Sequence, residues 1–294
     1  MKKTLPLIII TGPTASGKTA LAINLAKEIG AEIICADSRI VYKDLDIVSA
    51  KPTEIEKENI IHHLIDIKTV NDGIYSAGDF VKDAKKIISE KKCPLIVQGG
   101  TWFYIKSLLD KENLFEFGQN EELRKKLEKF SNDELWEILN KKDEKRASLV
   151  HKNNRDKVIR SIELIEAIGD KLSETKRPDN EEINAIWFMK NYDREELYKR
   201  INLRVDLMVK DGLIEEFENN SKKYGKNDIL YNTIGYKEFF DLKENIYKDA
   251  NEAIDKVKQH TRNFAKRQLT WFRQNKESFN INFVESEKDI LKFL

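Results

Sequence analysis

The sequence predicts an α/β fold in which a parallel β-sheet core is interrupted by a helical insertion domain. Short apolar runs typical of buried strands alternate with helical segments early in the chain, which is the pattern of βαβ units. A glycine-rich loop joins the first apolar run to the first helix. Farther along, a long charged stretch has helical periodicity and little that could form a strand.

Strands and helices alternate from the amino terminus. Residues 5–11 form an isoleucine-rich run that ends in Gly-Pro, which predicts a fully buried first strand. A helix is expected at 18–29, where leucine and isoleucine recur four residues apart. Two further strands are predicted at 32–36 and 94–98, with a helix at 77–91 before the second of them. Together these segments predict a parallel sheet.

The chain changes character after Leu109. Residues 121–169 are charged and helical, and a turn-rich break follows at 176–179. One more apolar strand is predicted at 185–190, and long helices are predicted at 194–218 and 251–275. We therefore expect both ends of the chain to contribute to one α/β core.

These patterns predict two domains in a chain of 294 residues, a length that suits one large domain or two ordinary ones. Residues 1–114 and 181–294 are expected to form the core, which ends in a basic helix. Residues 115–180 are expected to form the helical insertion.

Composition excludes several classes of protein. The 52 Lys and Arg residues nearly balance the 51 Asp and Glu residues, which gives a net charge of +1. This balance excludes a histone-like coat for nucleic acid and an acidic buffer protein. A hydrophobic fraction of 40% excludes a disordered chain. The first apolar run is too short for a signal peptide, and no run of about 20 apolar residues occurs, so we expect a cytoplasmic protein without a membrane span.

The two cysteines, Cys35 and Cys93, each lie beside a predicted strand. Two residues so far apart in the sequence give neither a disulfide framework nor a zinc site. We expect both to be buried thiols of a protein in a reducing compartment.

Residues 12–19 read GPTASGKT and fit the pattern G-x-x-x-x-G-K-[ST] at every fixed position. The segment lies between a predicted strand and a helix, which is the context of a P-loop. In such a loop backbone N–H groups point into one concavity beside the positive end of the helix, and Lys18 adds a point charge. The Thr19 hydroxyl is placed to ligate Mg²⁺. We therefore predict a phosphate-binding site.

The acidic residue that faces the loop bears on the kind of reaction. Nucleotide hydrolases carry an Asp at the end of an apolar strand, but the run at 94–98 ends in Gln98 and is followed by two glycines. The candidate carboxylate instead follows the second strand, as Asp37. There it would face the loop across the carboxyl edge of the sheet and serve as a general base on an acceptor. A helix cap or a turn is the alternative role for Asp37.

Nine motifs occur in order along nearly the whole chain: GPTASGKT (12–19), DSRIVY (37–42), AKP (50–52), HHLID (62–66), YSAGDF (75–80), GGTWFY (99–104), DREELYKRINLRVDLMVKDG (193–212), GYKE (235–238) and TRNFAKRQLTWFR (261–273). In this order, behind a phosphate loop, they are specific. The sequence resembles the tRNA dimethylallyltransferases, a family that prenylates an adenosine beside the anticodon.

The resemblance implies an alkyl transfer. Dimethylallyl diphosphate would bind with its diphosphate in the loop, together with Mg²⁺. The N6 amine of the adenosine at position 37, in tRNAs that read codons beginning with U, would attack C1 of the allyl group. Diphosphate would leave, its growing charge neutralised by the loop. The reacting base would be flipped out of the anticodon loop into a dry pocket.

The resemblance also implies the residues of the site. Asp37 and Thr101 are the catalytic pair that contacts the adenine, and Asp37 is the candidate base. Arg204 is the first choice for the arginine that clamps the diphosphate, and Arg200, one turn earlier on the same helix face, is the alternative. Within the phosphate loop that begins with Gly12 and Pro13, the residues implied to bind diphosphate are Thr14, Ala15, Ser16, Gly17, Lys18 and Thr19.

A basic stretch lies near the carboxyl terminus, where residues 255–276 contain seven basic residues and one acidic residue. At helical spacing four of the basic residues share one face: Lys258, Arg262, Lys266 and Arg273. The flanking face is apolar and carries Val257, Phe264, Leu269, Trp271 and Phe272. RNA phosphates, a membrane surface and plain solvation all suit such a basic face. Together with the resemblance, the missing acids favour RNA phosphates bound by Arg262, Lys266 and Arg273.

Further RNA contacts are implied by the resemblance alone, since residues 151–163 resemble the segment that grips the anticodon stem-loop. The implied contacts are Asp37, Ser38, Arg39, Ile40, Thr101, Arg124, Asp156, Lys157, Val158, Ile159 and Arg160. The chain departs from the family pattern at Arg39 (usually Gln), Trp102-Phe103 (usually Gly-Leu), Asn154 (usually Asp) and Lys157 (usually Arg). Trp102 is expected to stack on a base, to narrow the pocket, or to fill the core.

Without the resemblance, the residues are also compatible with two other functions. A kinase for a small molecule or a nucleotide would place ATP phosphates in the same loop, but it leaves the basic helix and the insertion unexplained. A nucleotide-gated RNA-binding protein leaves Asp37 and Thr101 without a task. We expect a monomer, since no self-complementary apolar stripe is evident beyond those that a core would use.

Overall fold

The computed structural model describes residues 6–110, 114–115, 117–177, 179, 182–190 and 192–294. In these residues six strands form one parallel sheet: β1 (Leu7–Thr11), β2 (Glu32–Cys35), β3 (His62–His63), β4 (Leu95–Gly99), β5 (Ala185–Lys190) and β6 (Asn282–Val284). Their order is β3-β2-β4-β1-β5-β6. The predicted α/β class with a parallel sheet is therefore confirmed.

Helices cover most of the remaining described residues. They are α1 (Lys18–Ile29), α2 (Glu54–Lys57), α3 (Ala77–Glu90), α4 (Trp102–Leu109), α5 (Glu121–Leu127), α6 (Asn132–Lys142), α7 (Glu144–Ser148), α8 (Arg155–Ile168), α9 (Arg194–Lys210), α10 (Leu213–Tyr224), α11 (Asp228–Tyr231), α12 (Lys237–Lys243), α13 (Ala250–Asn275) and α14 (Glu287–Leu291). The single helix predicted at 194–218 is wrong, because Gly212, at φ 104°, divides it into α9 and α10. That left-handed backbone conformation cannot continue a right-handed helix.

The centre of the sheet is fully buried. Every residue of β1 is buried, between β4 in the register Ile8↔Ile96 and β5 in the register Ile9↔Trp187. Burial on both faces explains why these strands read as continuous apolar runs. Because the strands are parallel, the segments that follow β1, β2 and β4 emerge at one edge of the sheet. The two strands that the sequence did not reveal, β3 and β6, are only two and three residues long.

The chain divides into two compact units, Met1–Leu109 with Glu182–Leu294, and Asp110–Glu181. The first unit contains the sheet. In its described residues the second unit is helical and contains α5 to α8, as the charged pattern predicts. Its core consists of buried aliphatic side chains, among them Leu135, Leu139, Val158 and Ile162.

Helix α13 is the longest helix among the described residues. Its buried side chains include Val257, Leu269 and Phe272, as the apolar face predicts. Phe264, which we expected on that face, is instead 37% exposed. In the part of the chain that the structure describes, no helix is both long enough and apolar enough to cross a membrane.

Candidate active site

The loop that joins β1 to α1 has the backbone of an anion-binding turn. Gly17 is the residue that caps α1, and it has a left-handed conformation at φ 84°. The first turn of α1 contains no acidic side chain, so the partial positive charge of the helix terminus is not neutralised there. The hydroxyl of Ser16 is buried and has no hydrogen-bond partner among the described residues, which leaves a donor available inside the loop.

A cavity of about 480 Å³ opens beside this loop, a size that suits a small-molecule ligand. It is lined by the loop, by the first turns of α1, by the segment between β2 and β3, and by α9. The lining residues are Ala15, Gly17, Lys18, Thr19, Ala20, Ile23, Asn24, Ala50, Pro52, Glu56, Glu58, Arg200 and Arg204. The predicted diphosphate residues Ala15, Gly17, Lys18, Thr19 and Arg204 therefore share one cavity.

Four cationic side chains converge on the loop. A Cβ atom built on Gly17 would lie 3.3 Å from Nη2 of Arg200 and 3.6 Å from Nζ of Lys190. Lys18 donates to the carbonyl of Pro13 at 3.2 Å, and Arg204 approaches the hydroxyl of Thr14 at 3.4 Å. Within the described residues none of the four cations forms an ion pair with a carboxylate. Such unpaired cations repel one another, and an anion with several negative charges would relieve that repulsion.

Burial and neighbouring charges shift the pKa values of two cations at the loop, Lys18 and Arg204. Burial and the neighbouring Arg204 lower the pKa of Lys18 to about 8, against the opposing effect of Asp37. Burial likewise lowers the pKa of Arg204, while Asp37 opposes the shift. Both Arg200 and Arg204 line the cavity, so either guanidinium can reach a ligand in it.

Asp37 lies at the carboxyl end of β2 and takes part in a turn. Its Oδ1 accepts hydrogen bonds from the backbone N–H groups of Arg39 at 2.8 Å and Ile40 at 3.4 Å. Its Oδ2 has no hydrogen-bond partner among the described residues. Thr101 lies next to it, because the Thr101 N–H donates to the carbonyl of Ala36 at 3.3 Å. The turn role and the base role of Asp37 are therefore compatible, one for each oxygen.

Thr19 is the only residue that we predicted to ligate a metal. Its hydroxyl oxygen accepts a hydrogen bond from Nε2 of Gln98 at 3.2 Å. The described residues contain no group of three or more His, Cys, Asp or Glu side chains that could hold a metal ion. A single protein ligand suits Mg²⁺, because in phosphate sites most ligands of this ion are water molecules and phosphate oxygens of the substrate.

Two residues at this site were missed by the sequence analysis, Gln268 and Lys190. Gln268 is buried on α13, where its Oε1 accepts from the Thr14 N–H at 3.0 Å and its Nε2 donates to the Gly100 carbonyl at 2.9 Å. It thereby joins the phosphate loop to the turn after β4. The sequence held a signal for each residue. Gln268 is an amide on the apolar face of a predicted helix, and Lys190 ends an apolar strand at the carboxyl edge of the sheet.

The basic residues of α13 fall into two sets. Lys266 and Arg273 are exposed, as an RNA-binding role requires. Arg262 is half-buried and donates a hydrogen bond to Oδ1 of Asn202. Lys258 forms an ion pair with Asp206 at 2.6 Å, so its charge is largely neutralised within the fold.

The predicted RNA contacts near Asp37 differ in exposure. Ser38 is half-buried, and Ile40 is buried, so any contact by Ile40 would come from its backbone. Arg39 donates to the carbonyl of Ser38 and, at 3.1 Å, to the carbonyl of Asn232.

In the helical unit, Asp156 and Lys157 are exposed on the first turn of α8. Val158 and Ile159 are buried in the core of this unit. Their side chains therefore do not face solvent, and any RNA contact at these two positions would have to use the backbone. Asn154, one of the departures from the family pattern, caps α8 by accepting from the Lys157 N–H.

Two arginines of the same unit have structural partners. Arg124 donates to both carboxylate oxygens of Glu163, at 2.7 and 2.8 Å. Arg160 donates to the carbonyl groups of Phe117 and Gly118. Both guanidinium groups are half-buried, and part of their hydrogen-bonding capacity is used within the fold.

The sheet, with a phosphate loop and a cationic cavity at its carboxyl edge, defines an α/β protein of the P-loop type. A family model described as IPP transferase matches residues 40–275. The chain belongs to the IPP transferase family, that of the tRNA dimethylallyltransferases, and is a transferase. The family predicted from the nine motifs is thus confirmed.

Individual relatives are similar over nearly the whole chain. A tRNA dimethylallyltransferase of Alkaliphilus oremlandii (strain OhILAs) is 44% identical over 294 residues, which cover 95% of this chain and 93% of the relative. The structure of a tRNA delta(2)-isopentenylpyrophosphate transferase from Staphylococcus epidermidis has a TM-score of 0.64 and 36% identity, and covers 97% of this chain and 94% of its own. The structure of a eukaryotic dimethylallyltransferase acting on tRNA has a TM-score of 0.81 and 27% identity. The match covers 95% of this chain and 73% of the eukaryotic chain.

Proposed function

We propose that this protein transfers the dimethylallyl group from dimethylallyl diphosphate to N6 of the adenosine at position 37 of tRNA, next to the anticodon, and releases diphosphate. The observation that carries the proposal is the convergence of four unpaired cations on the loop, at the sheet edge that also holds Asp37 and Thr101. The names of the relatives support both the donor and the acceptor.

The donor would bind by its diphosphate. The loop amides, the Ser16 hydroxyl and the four cations would surround the phosphate oxygens, and they would neutralise the charge that grows on the leaving group. Because this stabilisation increases as the C1–O bond breaks, it lowers the barrier more than it strengthens binding of the intact donor. Arg200 and Arg204 would both contribute, since both line the cavity.

The acceptor would be activated at Asp37. As the bond between N6 and C1 forms and the C1–O bond breaks, one N6 proton passes to Oδ2 of Asp37, the oxygen without a partner. Oδ1 would meanwhile hold the turn through the N–H groups of Arg39 and Ile40. Thr101 lies next to Asp37, because its N–H donates a hydrogen bond to the carbonyl of Ala36, and it would orient the adenine.

We propose Mg²⁺ as the cofactor, held by the Thr19 hydroxyl. When bound, Mg²⁺ supplies further positive charge to the diphosphate oxygens. Thr19 already accepts a hydrogen bond from Gln98, which orients the hydroxyl oxygen for such a ligand.

The RNA would be held by exposed basic residues of α13 and by the first turn of α8, where Lys157 and Asp156 face solvent. The tRNA set, those that read codons beginning with U, is proposed from the family alone. We also predict that the protein is cytoplasmic and monomeric.

The direct test is transfer of label from dimethylallyl diphosphate to tRNA in the presence of Mg²⁺, with tRNA carrying guanosine at position 37 as the control. The variant Asp37→Asn keeps an oxygen for the two backbone N–H groups and removes the base. We expect it to lower kcat by about 10²- to 10⁴-fold with little change in tRNA affinity.

Two results would contradict the proposal. Absence of transfer by the unaltered protein, together with turnover of ATP on a small acceptor, would favour a kinase instead. An equal loss of tRNA binding and turnover in Asp37→Asn would assign Asp37 to binding rather than to proton transfer.

A further inference from the structure

Five aromatic side chains run from the interior of the sheet unit to its surface beside Thr101. We call them the aromatic ladder: Trp187, Phe279, Trp271, Trp102 and Phe103. Neighbouring ring centroids along it are 4.8, 5.6, 4.3 and 5.8 Å apart. Trp187 is buried, Trp271 and Trp102 are partly exposed, and Phe103 is 48% exposed. The ladder therefore ends in aromatic surface that the described part of the fold does not cover.

The outer end of the ladder is held by ring stacking and by a hydrogen bond between the two helices that carry it. Trp102 and Trp271 stack with their planes 17° apart. The two helices that carry them are also joined by Gln268, which donates from α13 to the carbonyl of Gly100 just before α4. A ligand that packed on Trp102 would immobilise little that is not already fixed, so the entropic cost of binding would be small.

The helix that carries Trp271 is basic. No Asp or Glu lies between Lys256 and Lys276 on the helix that carries Trp271. Arg267, which lies four residues before Trp271 and therefore on the same side of the helix, is exposed. A partly exposed flat ring that packs on a basic helix suits a partner that is polyanionic and carries aromatic groups, as single-stranded nucleic acid does. A membrane surface or an acidic peptide would use the charges but not the flat faces of the rings.

We propose that Trp102, supported by Trp271 and flanked by Phe103, stacks on an unpaired nucleobase of the anticodon loop next to the nucleotide that is modified. The site begins one residue from Thr101, so a loop whose target adenosine reaches Asp37 brings a neighbouring base to the indole. This inference rests on the proposed function for its partner. It gives Trp102 a role in recognition of RNA, in addition to its packing on Trp271.

The test compares Trp102→Ala with Phe283→Ala in tRNA binding and in transfer kinetics. Phe283 is the matched control, because it is 44% exposed and has Lys276 over its ring but is not part of the ladder. We expect Trp102→Ala to raise the KM for tRNA about 5- to 150-fold, with the KM for dimethylallyl diphosphate unchanged. Trp102→Phe should recover part of the loss, and Phe283→Ala should match the unaltered protein.

The stacked base is identified with anticodon stem-loops that lack one base at a time. At one loop position the abasic RNA should bind the unaltered protein and Trp102→Ala equally, because the interaction is already lost. 2-Aminopurine at that position should be quenched by the unaltered protein, a readout that does not require the variant to fold.

A penalty for Trp102→Ala that is the same for every abasic RNA would overturn stacking, and so would the absence of quenching at every loop position. Failure of the unaltered protein to transfer label to tRNA would instead overturn the proposed function. Transfer without any base-dependent effect of Trp102 would overturn the stacking inference alone.

Discussion

At the scale of single residues, Asp37 has one carboxylate oxygen engaged in the fold and one that is available for the proposed proton transfer. Its Oδ1 holds the two backbone N–H groups of the turn after β2, and its Oδ2 has no partner among the described residues. Local sequence left a turn role and a catalytic role as alternatives. The atomic arrangement makes them complementary, and it makes Asn a sharper substitution than Ala, because Asn preserves the turn.

Cys35 provides a prediction from its surroundings. Burial, with the nearby negative charge of Asp37, raises the pKa of the Cys35 thiol to about 12. Cys93 is only half-buried, so our expectation that both thiols are buried is wrong for Cys93. At pH 8 in the native state we expect iodoacetamide to alkylate Cys93 and to leave Cys35 intact, because only thiolates react at a useful rate.

Peptide mapping by mass spectrometry would check this, with alkylation in denaturant as the control in which both thiols react. Modification of Cys35 at the same rate as Cys93 in the native protein would show that the β2 strand opens readily.

At the scale of elements, the contact between the ends of β2 and β4 brings Asp37 and Thr101, the proposed catalytic residues, to one edge of the sheet. Gly99 ends β4 so close to β2 that a Cβ atom there would lie 2.0 Å from the carbonyl oxygen of Ala36. No side chain can move to relieve that clash, since both partners are backbone. The register of these strands, and with it the position of Asp37 beside Thr101, depends on a glycine.

Gly99→Ala is therefore expected to lower the free energy of unfolding by about 3 kcal/mol or more and to reduce activity with it. Gly118→Ala is the matched control, since a Cβ atom there would meet no atom within 4 Å. Thermal denaturation of the two variants provides the comparison. Equal melting temperatures would mean that β2 and β4 can separate at this point without cost.

The packing of α5 on α8 depends on a buried carboxylate. Burial alone would raise the pKa of Glu163, but hydrogen bonds from Arg124 and from the Asn120 N–H outweigh it and hold the pKa below its ordinary value. The side chain of Glu163 is 2% exposed. The stabilisation that this pair contributes is therefore present at neutral pH and is lost as the pH falls through the lowered pKa.

Arg124→Met leaves the Glu163 carboxylate buried and without its bidentate partner. We therefore expect the free energy of unfolding of the helical unit to fall by about 3–5 kcal/mol. Hydrogen exchange of the amides of α5 and α8 measures it. The double variant Arg124→Met/Glu163→Gln should recover much of the loss, because it removes both charges. A single variant as stable as the unaltered protein would return Arg124 to a purely RNA-binding role.

At the scale of the whole molecule, a net charge of +1 conceals an uneven distribution. Acidic residues are spread along the rest of the chain, whereas α13 has none between Lys256 and Lys276. Near-neutrality therefore excludes indiscriminate coating of RNA and permits a local basic surface that holds one stem-loop.

This distribution predicts how tRNA binding depends on salt. Lys266 is exposed, so Lys266→Ala should reduce the slope of log Kobs against log salt concentration by about one. Lys258→Ala is the control, because Asp206 already neutralises Lys258. Binding measured at several salt concentrations gives both slopes. If Lys258→Ala had the larger effect, the RNA would lie on the α9 side of the helix.

The sequence by itself determined four of the six strands of the described residues, the glycine-rich loop between the first strand and the first helix, the helical character of residues 121–169 and the family. Each of these is encoded in residues close together along the chain. Local periodicity reports burial, and the strand–loop–helix order reports the phosphate site. It did not reveal burial that depends on a distant partner, as at Val158 and Ile159, whose side chains lie in the core of the helical unit. An RNA contact by the backbone of these two residues stays a prediction.

Only the tertiary structure decided which side chains meet. Gln268 bonds to Thr14 across 254 positions, Lys190 and Arg200 converge on Gly17 from a strand and a helix, and Trp102 stacks on Trp271. No local pattern contains these pairings, because the free energy of each depends on the geometry that the sheet and α13 impose together. The cationic cavity and the aromatic ladder are products of that geometry.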